Sequence, residues 1–324
     1  MLQNDYFTQL LFMMSSSLPA MIASRRKFFT TCDAFRLSHF EIDPRLAVDY
    51  YGGYLLFTCY ENYFHENLAE LAAQFAEVLS KLGLRFHGAV KKFRPENLSH
   101  ASSEGFSQKP APQLLLGELP PERFTIHEFD LQFAVSFHAG FSTGLFLDIK
   151  YARQRVYQLV KAGDQVLNLF SYTGGFSIAA AKAGAGRVIE VDTSAHWLNW
   201  AKENQGLNEV AVVRQRREDA VKFLRKQKNE SFDLIICDPP TYSSQKSGTR
   251  FSVAKGFREM LEDFERVLRP GGYLLASTNA RDLTRRNFLQ TLTEKLSLIE
   301  EIPISKDFSG DDYLKIGLFR KGYG

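Results

Sequence analysis

Two short stretches hold residue types able to do chemistry. One is Cys237-Asp238-Pro239-Pro240-Thr241-Tyr242. Two successive prolines fix φ and remove two backbone donors, leaving rigid carbonyls and the Asp238 carboxylate at the turn. Such a turn suits a nucleophilic atom on an aromatic base, with Asp238 and the Pro239 carbonyl as acceptors and Tyr242 as a stacking face; a loop aromatic packed on the sheet is the other reading of Tyr242. The second stretch is Asn168-Leu169-Phe170-Ser171-Tyr172-Thr173-Gly174-Gly175. It follows the first strand of a strand-helix alternation, where open α/β sheets bind nucleotides. A pyrophosphate needs GxGxxG against bare backbone, but here Phe170 and Tyr172 stand where small residues are required. No GxxxxGKS/T occurs, so both NAD and a P-loop nucleotide are disfavoured.

A nucleoside with no phosphate but with a sulfonium cation and an amino-acid end, S-adenosylmethionine, suits this loop better. Aromatic faces attract a cation by roughly 0.5–2 kcal/mol, and the positive end of the following helix takes a carboxylate. Roughly 20 residues on, Asp192 ends the second strand in Val188–Asp192 and is placed for ribose hydroxyls. Asp219, after the third strand, is placed for the adenine amino group. Helix N-capping is the alternative for both, because Thr193, Ser194 and Ala220 begin helices. The ordered pair after a glycine-bearing loop favours the cofactor.

These groups need a scaffold, and the composition supplies an ordinary globular one. The 324 residues are 44% apolar and 24% charged, enough for about two domains. Lys+Arg 40 against Asp+Glu 37 leaves a net charge of +3, which does not imply a protein that coats polyanions but leaves local basic clusters open. Cys32, Cys59 and Cys237 form neither a disulfide framework nor a metal knuckle, and no metal site is expected. Leu10–Met14 and Leu18–Ala23 imitate a signal peptide, but Asp5 precedes them and Arg25-Arg26-Lys27 follows, the wrong order. No apolar run approaches the ~18 residues of a bilayer span. A short amphipathic helix, no membrane association and a cytoplasmic location are the expectation.

Strands are read at Leu46–Tyr50 and Tyr54–Tyr60 around a Tyr51-Gly52-Gly53 turn. A helix follows over His65–Leu82, then strands at Leu84–Val90, Gln113–Gly117, Arg123–His127 and Leu131–Phe137. Lys91–Pro112 is a long loop. After Gly140, strands at Gln165–Phe170, Arg187–Val191, Val210–Arg214, Phe232–Cys237 and Gly272–Ser277 alternate with helices, and Tyr313–Arg320 is an antiparallel edge strand. The reading is an α/β chain with a Rossmann-like seven-stranded sheet at 140–324. Before it come a smaller α+β domain for substrate recognition at 33–139 and a helical segment at 1–32.

Asp33–Glu41 (DAFRLSHFE), Ala47–Gly52 (AVDYYG), Thr143–Asp148 (TGLFLD) with Arg153, Asn168–Phe176 (NLFSYTGGF), Val191–Ser194 (VDTS) and Asp238–Lys246 (DPPTYSSQK) together are specific. On them the chain resembles the class I S-adenosylmethionine-dependent methyltransferases that modify bacterial 23S rRNA. With Trp197–Asn204 it is most similar to the guanine-N7 half of the bifunctional enzyme, the cytosine-C5 enzymes sharing the same core. The resemblance implies that Phe146 and Asp148 close the methionine end of the cofactor and that Asn168 takes the usual acidic position of the first motif. It implies cofactor contacts along Phe170, Ser171, Tyr172, Thr173 and Gly174, and at Asp192, Thr193, Ser194, Asp219 and Asp238. It also implies 23S rRNA or a large-subunit precursor as partner.

Carbon-5 methylation needs a thiolate to add to the base, and Leu275-Ala276-Ser277-Thr278-Asn279 ends the fifth strand without one. Cys237 lies inside a strand, where an apolar filler is the stronger reading. Guanine N7 has a lone pair and no proton to lose, so it ranks first, with an exocyclic amine second. Asn279 is placed to orient a base edge or to face solvent. For RNA phosphates Arg281 and Arg285, after the fifth strand, lead, with Lys246 and Arg250 in the loop after Tyr242. Arg214, Arg216 and Arg217, the Lys91–Arg94 run and the Arg225–Lys228 group are further basic clusters, the last read as a solvated helix face. A protein or small-molecule methyltransferase and a non-catalytic RNA-binding assembly protein are the rival classes. Oligomeric state is not legible.

Overall fold

Apolar runs broken by glycine turns build the first sheet, and alternating strands and helices build the second. The computed structural model describes residues 17–60, 67–94, 111–240, 253–308 and 313–323. The chain divides into two compact units, one ending at Leu147 and the other starting at Asp148.

In the first unit residues 17–23 are helical, with Leu18 and Ile22 buried as a short amphipathic helix requires. Strands β1 (Ala34–Asp43), β2 (Leu46–Tyr51) and β3 (Tyr54–Tyr60) form an antiparallel meander. Helix α1 (Leu68–Lys81) leads to β4 (Gly88–Arg94), parallel to β3, and β5 (Gln113–Gly117) returns antiparallel. A separate hairpin joins β6 (Phe124–Glu128) and β7 (Leu131–Val135). Helix α1 buries Leu68, Leu71, Ala72, Phe75, Val78 and Leu79, the expected stripe. Strand β1 escapes the sequence reading because bulges at Arg36/Ser38 and His39/Asp43 break its alternation. Strand β4 starts at Gly88, not Leu84, because its register follows β3 from Tyr54↔Gly88 onward.

The second unit runs α2 (Lys150–Leu159), β8 (Gln165–Leu169), α3 (Gly175–Lys182), β9 (Arg187–Asp192), α4 (Ala195–Leu207) and β10 (Val213–Arg217). It continues with α5 (Ala220–Arg225), β11 (Phe232–Cys237), α6 (Val253–Val267), β12 (Leu268–Thr278), α7 (Arg285–Thr293), β13 (Ser297–Glu301) and β14 (Lys315–Arg320). The sheet order is β10-β9-β8-β11-β12-β14-β13, seven strands, with β14 antiparallel to both neighbours. This is the Rossmann-like α/β architecture. The antiparallel strand near the C-terminus is therefore not the edge; β13 covers it. With Leu298 37% and Ile299 49% exposed, β13 lacks the buried apolar run that marks a strand. Phe232, Phe257, Phe264, Phe288 and Phe319 are fully buried in this unit's core, each worth about 1.5–3 kcal/mol of burial.

Consecutive parallel strands run outward from the middle of the sheet in opposite directions: β8 leads to β9 and β10, while β11 leads to β12. A crevice at the carboxyl ends of β8 and β11 follows from that reversal. Pairing of Leu169 with both Val191 and Cys237 brings three strand ends level there.

Candidate functional site

Beyond Leu169 the chain makes a tight loop with three left-handed residues, Phe170 (φ 58°), Tyr172 (φ 51°) and Gly174 (φ 80°). Two of them carry side chains, a conformation of order 1–3 kcal/mol each that persists only where surroundings enforce it. The enforcing bonds are explicit. Ser171 N–H donates to the Val191 carbonyl at 3.0 Å and Gly174 N–H to the Ser171 carbonyl at 2.9 Å. Tyr172 N–H donates to Asp192 Oδ2 at 3.0 Å, and buried Asn204 donates from Nδ2 to the Thr173 carbonyl at 2.8 Å. Phe170 packs against the hydrophobic core and the Tyr172 ring lies 4.7 Å from Trp197, so both rings offered to a cation by sequence reasoning also anchor the loop.

Gly174 admits no side chain for a second reason. A Cβ there would lie 2.9 Å from Glu190 Oε2 and 3.1 Å from Ala201 Cβ. Helix α3 starts at the next residue, and Gly174 gives it no side-chain cap, which leaves its first amides to other acceptors. Buried Ser171 Oγ has no hydrogen-bond partner among the described residues.

The two acidic candidates separate here. Asp219 accepts from Lys222 N–H at 2.9 Å and caps α5. Asp192 caps no helix; Ser194 caps α4, while Asp192 accepts from Ser194 N–H at 2.8 Å as well as from Tyr172. Burial pushes the Asp192 carboxyl above its ordinary range, against the lowering by those backbone amides. Thr193 is exposed, its carbonyl accepting from Arg217. Asn168 is buried at the end of β8 and donates to Ser177 Oγ at 2.9 Å.

Asp238 follows β11, one residue beyond the Cys237↔Leu169 and Cys237↔Ala276 pairs. Ser277 Oγ donates to its Oδ1 at 2.6 Å. Desolvation pushes Asp238 up to about 6 despite that bond; the Asp148 charge adds to the rise and the Arg153 charge opposes it. Asp148 in turn accepts from Tyr313 hydroxyl at 2.5 Å. Pro239 is buried and Pro240 exposed. Tyr242, Lys246 and Arg250 lie outside the described residues. Phe146, in the unit that ends at Leu147, is 46% exposed.

Several contributors carry no signal in the sequence. Lys150 and Asp307 form a 3.0 Å ion pair with both side chains fully buried, and Ser305 N–H donates to the Asp148 carbonyl at 2.9 Å. Partners 157 positions apart cannot be matched from spacing. Glu190, fully buried in β9, accepts from Gln205 and Gln215 at 2.8 Å each, and burial raises its carboxyl. It lies within Val188–Asp192, but only its position beneath the loop distinguishes it. Of the basic candidates, Arg281 is exposed and Arg285 pairs with Glu301 at 2.9 Å; Asn279 is exposed. Among the described residues no group of three His, Cys, Asp or Glu could hold a metal, and no helix is long and apolar enough to cross a membrane.

A family model described as S-adenosylmethionine-dependent methyltransferase matches residues 38–309. The chain belongs to that family. It is 29% identical over 328 residues to Bacillus subtilis YwbD, provisionally named a ribosomal RNA large subunit methyltransferase, covering 94% of this chain and 80% of that one. It is 39% identical over 164 residues to ribosomal RNA large subunit methyltransferase K/L of Vibrio campbellii. That match covers 49% of this chain and only 23% of the relative. In fold it resembles SMU.776 in complex with SAH, with a TM-score of 0.75 and 23% identity over 94% of this chain and 81% of the other. The methyl donor of this family member is S-adenosylmethionine. The loop fits such a group: uncapped α3 amides and the unpartnered Ser171 hydroxyl suit a carboxylate, and Asp192, Asp238 and Asp148 supply acceptors and negative charge for hydroxyls and a cation.

Proposed function

We propose that the protein methylates a base of 23S rRNA, free or in a large-subunit precursor, with guanine N7 as acceptor. The observation that carries the choice of atom is Cys237. It is fully exposed to nothing but protein, paired between Leu169 and Ala276 in the sheet interior, and burial pushes its thiol well above the ordinary value. A thiol so placed is a packing group, not the nucleophile that carbon-5 chemistry needs. The neighbouring strand ends in Ser277 and Thr278, with Asn279 next, and supplies no replacement.

In this reading the uncapped amides of α3 and Ser171 hold the amino-acid carboxylate of the donor, with Asn168, Phe170, Tyr172, Thr173 and Gly174 shaping the loop. Asp192, with Thr193 and Ser194 beside it, takes the ribose hydroxyls, and Asp219, whose Oδ1 caps α5, is assigned to the adenine end through its other carboxylate oxygen. Asp148 is assigned to the methionine end. Asp238 and the Pro239 carbonyl orient the base edge on rigid backbone, with Tyr242 as stacking face. When bound, the donor supplies a methyl group on a sulfonium, which a guanine N7 lone pair accepts without any proton leaving. Asp238 therefore acts by charge and position rather than as a base. Its carboxylate is also what favours an exocyclic amine as the second reading, since it can accept the hydrogens of an amino group. The names of the relatives support rRNA as substrate class.

The test is incubation with methyl-labelled donor and unmodified large-subunit rRNA, followed by digestion to nucleosides. Label in 7-methylguanosine is expected. Label in 5-methylcytidine overturns the acceptor assignment, and label in a protein or small molecule but in no nucleoside overturns the RNA reading.

A further inference from the structure

The two edges of the seven-stranded sheet carry opposite charge. Edge strand β10 presents Arg214, Arg216 and Arg217, all exposed, around buried Val213 and half-buried Gln215. The opposite edge strand, β13, ends in Glu300 and Glu301. Two basic groups near β13 are paired with its acids: Arg155 with Glu300 at 2.8 Å and Arg285 with Glu301 at 2.9 Å. Behind β10, Arg225 pairs with Asp263 at 3.9 Å and Lys226 bonds to Glu218. The three β10 arginines make no ion pair with any described residue. Arg216 donates to the Gln215 carbonyl and Arg217 to the Thr193 carbonyl, contacts that leave their charge uncompensated.

An edge strand needs some charge to deter pairing with other strands, but either sign serves, and Lys is the usual choice. Three unpaired arginines and no acid go beyond that need. Guanidinium groups at an open edge match the phosphodiester backbone of RNA. Strand β10 is parallel to β9 and β8, so its carboxyl end lies at the same margin of the sheet as Asp192 and the Phe170–Gly174 loop. Three strand spacings, about 14 Å, separate β10 from β11, a span that a few nucleotides cover.

We propose that the β10 edge, through Arg214 and Arg216, is a track for the phosphates of the RNA whose base enters at Asp238. This rests on the functional reading above and moves the principal phosphate contact from Arg281 and Arg285 to the opposite edge. Arg217, bonded beside Asp192, is left out of the test to spare the cofactor side.

The test compares the parent protein with Arg214→Gln/Arg216→Gln, with the charge-retaining Arg214→Lys/Arg216→Lys, and with Lys255→Gln/Arg258→Gln on α6 as a charge-matched control. Binding of unmodified large-subunit rRNA is measured across salt concentrations, and donor binding reports on the fold. The glutamine pair at β10 is expected to lose about tenfold in RNA affinity or more near 0.1 M salt. The slope of log affinity against log salt is expected to flatten by about 1.5, two phosphates' worth. Donor affinity stays at the parent value, the lysine pair recovers most of the loss, and the α6 control is unchanged. Unaltered RNA affinity and slope at β10, or an equal loss in the α6 control, overturns the track. Loss seen only with ribosomal particles and not with naked rRNA overturns it in favour of a protein contact. A parent protein that neither binds nor methylates rRNA in any form sinks the functional reading itself, recognisable because parent and variants then behave alike.

Discussion

Ser277 and Asp238 sit at the ends of adjacent parallel strands and share a 2.6 Å hydrogen bond, hydroxyl to carboxylate. The bond favours the charged form of a carboxyl that burial drives towards the neutral one, so Ser277 keeps Asp238 near 6 rather than higher.

Donor binding should therefore depend on pH. Above about 6 Asp238 is ionised and can face a cation; below it the charge is lost, so donor affinity falls as pH drops through that value. Ser277→Ala removes a stabilising donor and should move this limb upward by about one pH unit, as expected for one hydrogen bond to a charged group. The linked effect on stability has the opposite sense. The folded protein holds this proton more tightly than the unfolded chain, so Asp238 stabilises the unliganded fold below about 4 and ceases to do so above about 6. Calorimetric titration of donor across pH, in parent and variant, checks both statements; a flat profile between pH 5 and 8 removes Asp238 from the donor site.

Gly174→Ala should be costly for two reasons at once, the left-handed φ of 80° and the 2.9 Å approach to Glu190. We expect a loss of about 1–3 kcal/mol in stability and a larger loss in donor affinity, since relief must come from shifting the loop. Thermal melts with and without donor separate the two. A variant that melts and binds like the parent shows that Glu190 yields freely.

Asn204→Ala removes the 2.8 Å bond that holds the Thr173 carbonyl. The expected cost is about 1–3 kcal/mol, much of it as a raised KM for donor while kcat changes little. Equal loss in kcat with unchanged KM contradicts a loop-holding role.

Lys150 and Asp307 predict strong non-additivity. Asp307→Asn or Lys150→Met alone strands a buried charge and should destabilise by about 3–5 kcal/mol, whereas Lys150→Met/Asp307→Leu should recover a good part of that. Denaturant melts of the three variants decide it, and additive losses contradict the coupling.

Cys237→Ala should keep methyl transfer within about twofold while costing about 1 kcal/mol or more in stability for the cavity. Complete loss of transfer in a variant that still binds donor returns the thiol to the chemistry.

What the sequence reveals follows how local each cause is. Phe232–Cys237 is recoverable residue for residue because a central parallel strand is an apolar run ended by a turn. Strand β10 is read three residues early, over Val210–Arg214, because apolar residues precede the arginines. Its true register, Val213↔Val188 to Arg217↔Asp192, is dictated by its neighbour. The positions of Asp192 and Asp238 are legible because one ends a strand and the other directly follows one. That Asp219 caps a helix while Asp192 ties two loops together is not, since both stand just after a strand and before a helix. Glu190, Asn204 and the Lys150–Asp307 pair depend on contacts across the fold that no periodicity encodes.

The Phe170–Gly174 loop reaches its left-handed shape through bonds made wholly within the protein. Its ordering entropy is thus settled when the chain folds, not when a ligand arrives. A receptor prepared in this way has little left to organise, so donor association should be fast and nearly free of a slow conformational phase. Discrimination between the methylated and demethylated forms of the ligand must then come from charge at the sulfur, not from reshaping of the loop.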